Sequence, residues 1–217
     1  SNLKDPDSKL TLEINKETLK GRSDDEAIFI PKTVMYIDPK AFDNLTKLKS
    51  VYLEGENTSF ELFDSVLYKK KRKSLLYCPR NRGGEFIVPA DVEVIGERSF
   101  QYCEITSVNF SNTTSFGERA FYRCSLLTEV VIPGSVRVIP KEAFYYCVAL
   151  TTVQLPQTVM EIQELAFLCC YNLCEINIQK ETELEVIGDQ AFSNCKSLVE
   201  FTIPDTVYQI GVRVFSN

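Results

Sequence analysis

The residues of this chain with the greatest chemical potential are cysteines that recur at one fixed position. They close the pentapeptides SFQYC, AFYRC, AFYYC, AFLCC and AFSNC, ending at Cys103, Cys124, Cys147, Cys170 and Cys195. Thiolates can act as nucleophiles, bind zinc or pair into disulfides. Which chemistry is available depends on whether the five side chains converge on one point or lie in a line.

The composition removes most catalytic uses of these thiols. The 217-residue sequence contains no histidine, which excludes Ser-His-Asp and Cys-His sites, histidine-bound zinc and the usual general base near neutral pH. Its net charge of −6 disfavours general binding to nucleic acid or to an anionic membrane. No apolar run is long enough to span a bilayer. We therefore expect no enzyme activity, no cofactor, no metal and no direct membrane insertion by this chain.

The elements that position the cysteines are repeats. The phenylalanines that precede them, together with Phe215, are spaced by 21 to 25 residues, with a usual spacing of 23. Residues 131–156 and 154–178 share the pattern I/L-P-x-x-V-x-x-I-x-x-x-A-F-x-x-C-x-x-L-x-x-V/I-x-I/L. Its last part alternates as a strand does, whereas the spacings of three and four before A-F indicate a helical or tightly coiled stretch. Units this short must stack to bury their apolar faces, so an α/β solenoid with a parallel sheet is predicted.

A solenoid places the five repeated cysteines in a line, about 4.8 Å apart. Zinc needs ligands that converge on one point, and parallel Cβ vectors do not suit a disulfide. The first unit has Leu45 in the cysteine position, so the position requires apolar volume rather than a thiol. A buried structural column is predicted. Cys169 and Cys174 flank Cys170, and a local disulfide or a reactive thiol there remains an alternative to inert side chains.

The repeated L-x-x-V-x-I-P-x-x-V-x-x-I-x-x-x-A-F-x-x-C pattern resembles the BspA-like (treponemal-type) leucine-rich repeats over about residues 28–217. The resemblance implies a right-handed superhelix with a concave parallel sheet. It also implies a secreted or surface-attached protein, usually microbial, used in adhesion or host contact. Residues 1–27 are expected to form an N-terminal cap before the repeat domain at 28–217. Within that domain, VLY and LLY around KKKRKS predict an irregular hairpin unit at about 60–85.

The outward residues of the predicted concave sheet form the candidate binding face, which is polar and mildly acidic. The ligand-binding residues predicted on it are Tyr52, Asn109, Glu129, Val131, Thr152, Gln154, Glu175, Asn177, Glu200 and Thr202. Glu175 and Glu200 lie one coil apart and could serve acid–base chemistry, but a shallow sheet offers no cleft for glycoside hydrolysis. The basic run at 69–73 is either a solvated hairpin tip or a contact for an anionic glycan.

These features predict an adhesin-like binding module without enzyme activity, located on a cell surface or secreted. Its expected partner is a host or extracellular-matrix protein, or a glycan, held by the concave face. Two alternatives stay open. A structural spacer or self-associating solenoid is suggested by a sequence that ends in mid-repeat at Phe215-Ser216-Asn217, and a carbohydrate-binding module would use the same polar face.

Overall fold

The computed structural model describes residues 12–217, which fold as a solenoid of stacked coils. Eighteen strands and no helix are assigned within these residues. Successive coils lie about 23 residues apart, so the predicted repeat length and the parallel solenoid are confirmed. The helical part of the α/β prediction is wrong, because short strands and turns occupy the segments that were expected to be helical.

One side of the solenoid carries the longer strands, which pair in parallel with strands of neighbouring coils. Their bounds, numbered in chain order over the whole chain, are β2 Ala27–Ile30, β4 Ser50–Leu53, β8 Gly83–Ile87, β10 Glu104–Asn109, β12 Glu129–Val131, β14 Thr152–Leu155 and β16 Glu175–Ile178. Side chains alternate between the core and solvent, as in a strand with one buried face. Val130 and Val153, for example, point inward between neighbours that are exposed or half-buried. We call the outer surface of these strands the long-strand face.

A second side carries two-residue strands that also pair in parallel, which we call the short-strand ladder. Their bounds are β1 Glu13–Ile14, β3 Tyr36–Ile37, β9 Val94–Ile95, β11 Ser115–Phe116, β13 Val138–Ile139, β15 Glu161–Ile162, β17 Val186–Ile187 and β18 Gln209–Ile210. All but one contain the isoleucine of the repeat, and β11 has Phe116 in its place. The predicted N-terminal cap at 1–27 lies partly outside the described residues. Its described part includes β1, which pairs with β3 and continues this ladder.

The third side is a turn that carries the A-F-x-x-C sequence. Backbone N–H groups there donate to the next coil, as Phe121 does to the Ala143 carbonyl and Phe144 to that of Ala166, both at 2.8 Å. Each of the five turns from Arg98 to Asn194 includes two residues with left-handed backbone, such as Glu142 (φ 54°) and Tyr146 (φ 59°). A left-handed residue interrupts a right-handed helix. The spacing of three and four therefore reflects a corner of the coil and not a helical turn.

Strands β5 (Phe60–Phe63), β6 (Val66–Lys69) and β7 (Ser74–Tyr77) pair antiparallel, within the segment predicted to contain a hairpin unit. β7 then pairs in parallel with β9, so the hairpin joins the short-strand ladder. It also divides the core, because Leu67 packs with the N-terminal cluster and Val66 with the C-terminal one.

The core is built from residues in the same position of successive coils. The rings of Phe121 and Phe144 stack with centroids 5.1 Å apart and planes 1° apart, and those of Phe144 and Phe167 with 5.3 Å and 4°. The repeated cysteines lie beside this column and are buried. Within residues 12–217, no helix is long and apolar enough to cross a membrane.

Candidate functional site

The strand register brings six of the predicted binding residues together on the long-strand face. In β12, β14 and β16, Glu129 pairs with Thr152 and Thr152 with Glu175, while Val131 pairs with Gln154 and Gln154 with Asn177. All six side chains are exposed or half-buried. The parallel ladder therefore presents two neighbouring outward columns on a backbone that hydrogen bonds hold in place. We call this surface the six-residue patch; its members are Glu129, Val131, Thr152, Gln154, Glu175 and Asn177.

Two predicted residues lie on other sheets. Asn109 is paired with Ile87 in β8–β10, and its carbonyl accepts a hydrogen bond from the Val88 N–H at 2.9 Å. Tyr52 is paired with Phe29 in β2–β4. The hairpin unit lies between β4 and β8 in the chain and replaces one long strand. Consequently, Tyr52 belongs to a sheet that is separate from the other predicted residues.

Glu200 and Thr202 are exposed but lie outside the described strands. Phe201 between them packs inward, with its ring centroid 5.4 Å from that of Phe192 and 5.1 Å from that of Phe215. The inward–outward alternation of the repeat is therefore kept without ladder hydrogen bonds. These two residues line an open depression beside β16 and continue the face without forming a cleft.

Sequence reasoning missed two exposed apolar residues on the long-strand face. Phe29 stacks on Tyr52 with ring centroids 5.0 Å apart and an angle of 21°, and Ile87 is 63% exposed. The signal for Phe29 was present, because AIFI at 27–30 alternates in the same way as SVYL at 50–53. The long-strand face is thus apolar at its N-terminal end and polar in the six-residue patch.

The five repeated cysteines form a buried column, and all eight cysteines are free thiols. Burial raises the pKa of the Cys147 thiol to about 12 and has the same effect on Cys195. Such thiols stay protonated near neutral pH and are poor nucleophiles. Cys169 is half-buried and Cys174 is exposed. Within residues 12–217, no group of three or more metal-ligating side chains is placed to hold a metal ion.

The basic run at the hairpin is partly neutralised. Arg72 lies 2.9 Å from an Asp91 carboxylate oxygen, and Lys73 lies 2.7 Å from one of Glu93. Lys69 and the two lysines after it are exposed. The hairpin therefore presents fewer free charges than its sequence indicates.

Comparison with known proteins shows which family has this repeat. The profile described as the BspA type leucine rich repeat region matches residues 8–70 and 93–217, in six copies. No curated protein matches the chain in sequence.

Solved structures share its fold. A leucine rich cell surface protein from Faecalibacterium prausnitzii is 26% identical, with a TM-score of 0.73 over 86% of this chain and 48% of that one. A leucine-rich repeat protein from Bacteroides ovatus is 26% identical, with a TM-score of 0.63 over 94% of this chain and 50% of that one. A leucine-rich repeat protein from Eubacterium ventriosum is 23% identical, with a TM-score of 0.71 over 88% of this chain and 58% of that one.

The chain spans about half the length of these proteins. The profile match covers most of the sequence, and the stacked coils have the parallel strands and repeat length that the matched structures share. This chain belongs to the BspA type leucine-rich repeat family.

Proposed function

We propose that this chain is a binding module without enzyme activity that holds a partner protein on the six-residue patch. The observation that carries the proposal is the free state of its polar side chains. Within residues 12–217, those of Glu129, Thr152, Gln154, Glu175 and Asn177 form no hydrogen bond or ion pair with the chain. Their donors and acceptors are therefore available to a partner.

Several polar side chains on other sides of the solenoid link one coil to another. Lys141 pairs with Glu164 at 2.8 Å, and Arg137 with Glu183 at 2.5 Å, each linking one coil to another. The contrast supports the long-strand face as the working surface. Binding would be spread over several coils, with contributions from shape and hydrogen bonds and with no single indispensable residue.

A location on a cell surface or in secretions, and a host or extracellular-matrix protein as the partner, are parts of the same proposal. They are supported by family membership and by the cell-surface description of the Faecalibacterium protein. A glycan on the same polar patch is the alternative partner.

The test measures binding of the purified chain to an array of extracellular-matrix proteins and glycans. The double variant Gln154→Arg with Asn177→Arg places two long cations in the centre of the patch. Its control is Met160→Arg with Gln209→Arg, which adds the same charge at exposed positions beside and within the short-strand ladder. Both variants should unfold at nearly the same temperature as the native chain.

Selective binding of a protein that the patch variant loses and the control variant keeps is the expected result. Equal binding by both variants would place the interaction on another surface. A complete lack of binding would favour a structural spacer.

A further inference from the structure

A second surface, on the turn side of the solenoid, has alternating arginine and tyrosine side chains. Tyr102, Arg123 and Tyr146 share the position just before the repeated cysteine, and the N–H of each donates to the next coil at 2.7–2.8 Å. We call these residues, together with Arg80, the arginine–tyrosine column.

Arg80 belongs to the column because Cys78 takes the place of the repeat phenylalanine. The Cys103 thiol donates to the Cys78 carbonyl at 3.3 Å, as the Cys124 thiol does to that of Phe100 at 3.0 Å. Arg80 follows Cys78 by two residues, as Tyr102 follows Phe100. The column therefore alternates cation, ring, cation, ring over four coils.

The guanidinium groups of the column lie against the tyrosine rings. The Cζ atom of Arg80 is 4.7 Å from the centroid of Tyr102, and that of Arg123 is 4.5 Å from the centroid of Tyr146. These distances are within the range of cation–π attraction. Further along the turn side, Tyr171 meets Tyr146 edge to face at 5.6 Å, and the Lys196 ammonium lies 5.2 Å from the Tyr171 ring.

A parallel row of tyrosines widens this surface. Tyr122 and Tyr145 precede Arg123 and Tyr146 in sequence, and their rings stack with centroids 4.8 Å apart and planes 12° apart. The rings on this side are half-buried, except for Tyr102, which is exposed at 37%. Each coil thus contributes one or two aromatic rings, and backbone hydrogen bonds between coils hold these rings in line.

The cations of this surface have no acidic partner. Arg80, Arg123 and Lys196 form no ion pair within residues 12–217, although Arg80 donates two long hydrogen bonds of 3.4 Å to the carbonyls of Phe42 and Asp43. Arg119, beside the column, instead donates two hydrogen bonds of 2.9 Å to Glu142. The Nε atom of Arg123 is also buried without a hydrogen-bond partner. In a chain with 30 acidic and 24 basic residues, a row of unneutralised cations between aromatic rings is complementary to an anion.

We propose that the arginine–tyrosine column binds an acidic polysaccharide. Its sugar rings would pack against the outward edges and hydroxyl groups of the tyrosines, whose faces already hold cations or neighbouring rings. Its carboxylate or sulfate groups would pair with Arg80, Arg123 and Lys196. Arg80 and Arg123 lie two coils apart, which is about 10 Å at the strand spacing. That separation matches about two sugar units, so every second sugar of a charged polymer can place its anionic group beside a cation.

A linear row of rings favours a polysaccharide over an acidic peptide. A peptide carboxylate needs only the cations, whereas a sugar polymer uses the rings and the cations together. This site is separate from the six-residue patch and does not depend on the function proposed for it.

The test measures binding of the whole chain to heparin, which supplies sulfates, and to polygalacturonate, which supplies only carboxylates. Neutral dextran and poly-glutamate serve as reference ligands. Arg123→Gln removes the central charge and Tyr146→Leu removes a ring. Lys70→Gln removes the same charge from the exposed hairpin, and Gln154→Arg with Asn177→Arg alters only the six-residue patch. Thermal unfolding verifies that each variant is folded.

We expect one or both acidic polysaccharides to bind, and higher salt to weaken the binding. Arg123→Gln and Tyr146→Leu should each reduce affinity by about ten- to a hundredfold, because the first loses a charged hydrogen bond and the second loses a ring contact and the ring that holds the Arg123 guanidinium. Lys70→Gln and the patch variant should bind as the native chain does.

Three results would overturn the proposal. The first is an absence of binding to both polysaccharides, and the second is an equal loss in Lys70→Gln, which would assign the site to the hairpin. The third is that the chain binds poly-glutamate as tightly as it binds the polysaccharides, which would indicate an acidic protein partner.

Discussion

The Cys147 thiol donates a hydrogen bond to the Phe121 carbonyl oxygen of the preceding coil, at 3.2 Å. The same carbonyl accepts the N–H of Cys124 at 3.1 Å, so the thiol is its second donor. The other cysteines of the column repeat this contact at 3.0–3.3 Å. Each thiol therefore fills apolar volume and also joins its coil to the one before it.

The first prediction concerns this contact. Cys147→Ala should lower the free energy of unfolding by about 1–2 kcal/mol, because it removes buried volume and a weak hydrogen bond. Cys147→Ser should cost no more than this, since its hydroxyl can donate to the same carbonyl. Urea denaturation of the two variants measures both changes. A serine variant much less stable than the alanine variant would show that the hydroxyl is left unpaired.

The second prediction concerns thiol reactivity. Burial raises the pKa of Cys147 to about 12, so the column should hold almost no thiolate at pH 8, whereas Cys174 is exposed. A maleimide reagent should label Cys174 first and Cys169 more slowly in the native chain, and all eight cysteines in denaturant. Mass spectrometry of peptides over time measures this order. Rapid labelling of Cys147 in the folded chain would contradict a buried column.

The third prediction compares two ion pairs. Glu142 is nearly buried and receives two hydrogen bonds from Arg119, whereas the pair of Arg137 with Glu183 is about half exposed. Arg119→Gln should destabilise the chain by about 2 kcal/mol because it leaves a buried carboxylate without its partner. Arg137→Gln, the matched control, should change stability by less than about 0.5 kcal/mol. Equal effects in chemical denaturation would mean that water solvates Glu142.

The fourth prediction concerns the left-handed backbone of the turn. Gln190 has φ 53°, and its N–H donates to the Val212 carbonyl at 2.9 Å. Gln190→Val should destabilise the chain by about 1–2 kcal/mol, because a β-branched residue is strained in this region. Gln190→Gly should be neutral or slightly stabilising.

The matched control for the backbone prediction is Gln209→Val, which places the same side chain in the extended strand β18 and should be tolerated. Differential scanning calorimetry compares the three variants. A Gln190→Val variant as stable as the native chain would contradict the left-handed conformation at this position.

The repeat spacing predicted the stacked coils, the buried cysteine column and the outward columns of the six-residue patch. These features depend on which side chains recur at a fixed distance along the chain, and spacing reports that directly. The prediction for Cys147 needed only the recurrence of its neighbours and the leucine at position 45. The same reasoning placed Glu129, Thr152 and Glu175 in one register, which the ladder confirms.

The helical prediction was wrong because spacings of three and four also arise at the corner of a flat coil. The left-handed residues that form this corner include Glu142, Leu165 and Gln190, which are not the glycines or asparagines that signal such a backbone. Hydrogen bonds to the next coil hold them there. Because the partners of these hydrogen bonds lie in another coil, the local sequence gives no signal of the left-handed backbone.

The sequence by itself determined the repeat length, the family and the residues that point inward, because burial selects apolar side chains at every turn. Only the tertiary structure decided that the hairpin separates Tyr52 from the polar patch, and that Cys78 takes a phenylalanine position. Because Cys78 takes that position, the Arg80 guanidinium lies over the Tyr102 ring, although 22 residues separate the two in sequence. Contacts between coils depend on the register of stacking, which the backbone hydrogen bonds set over the whole solenoid.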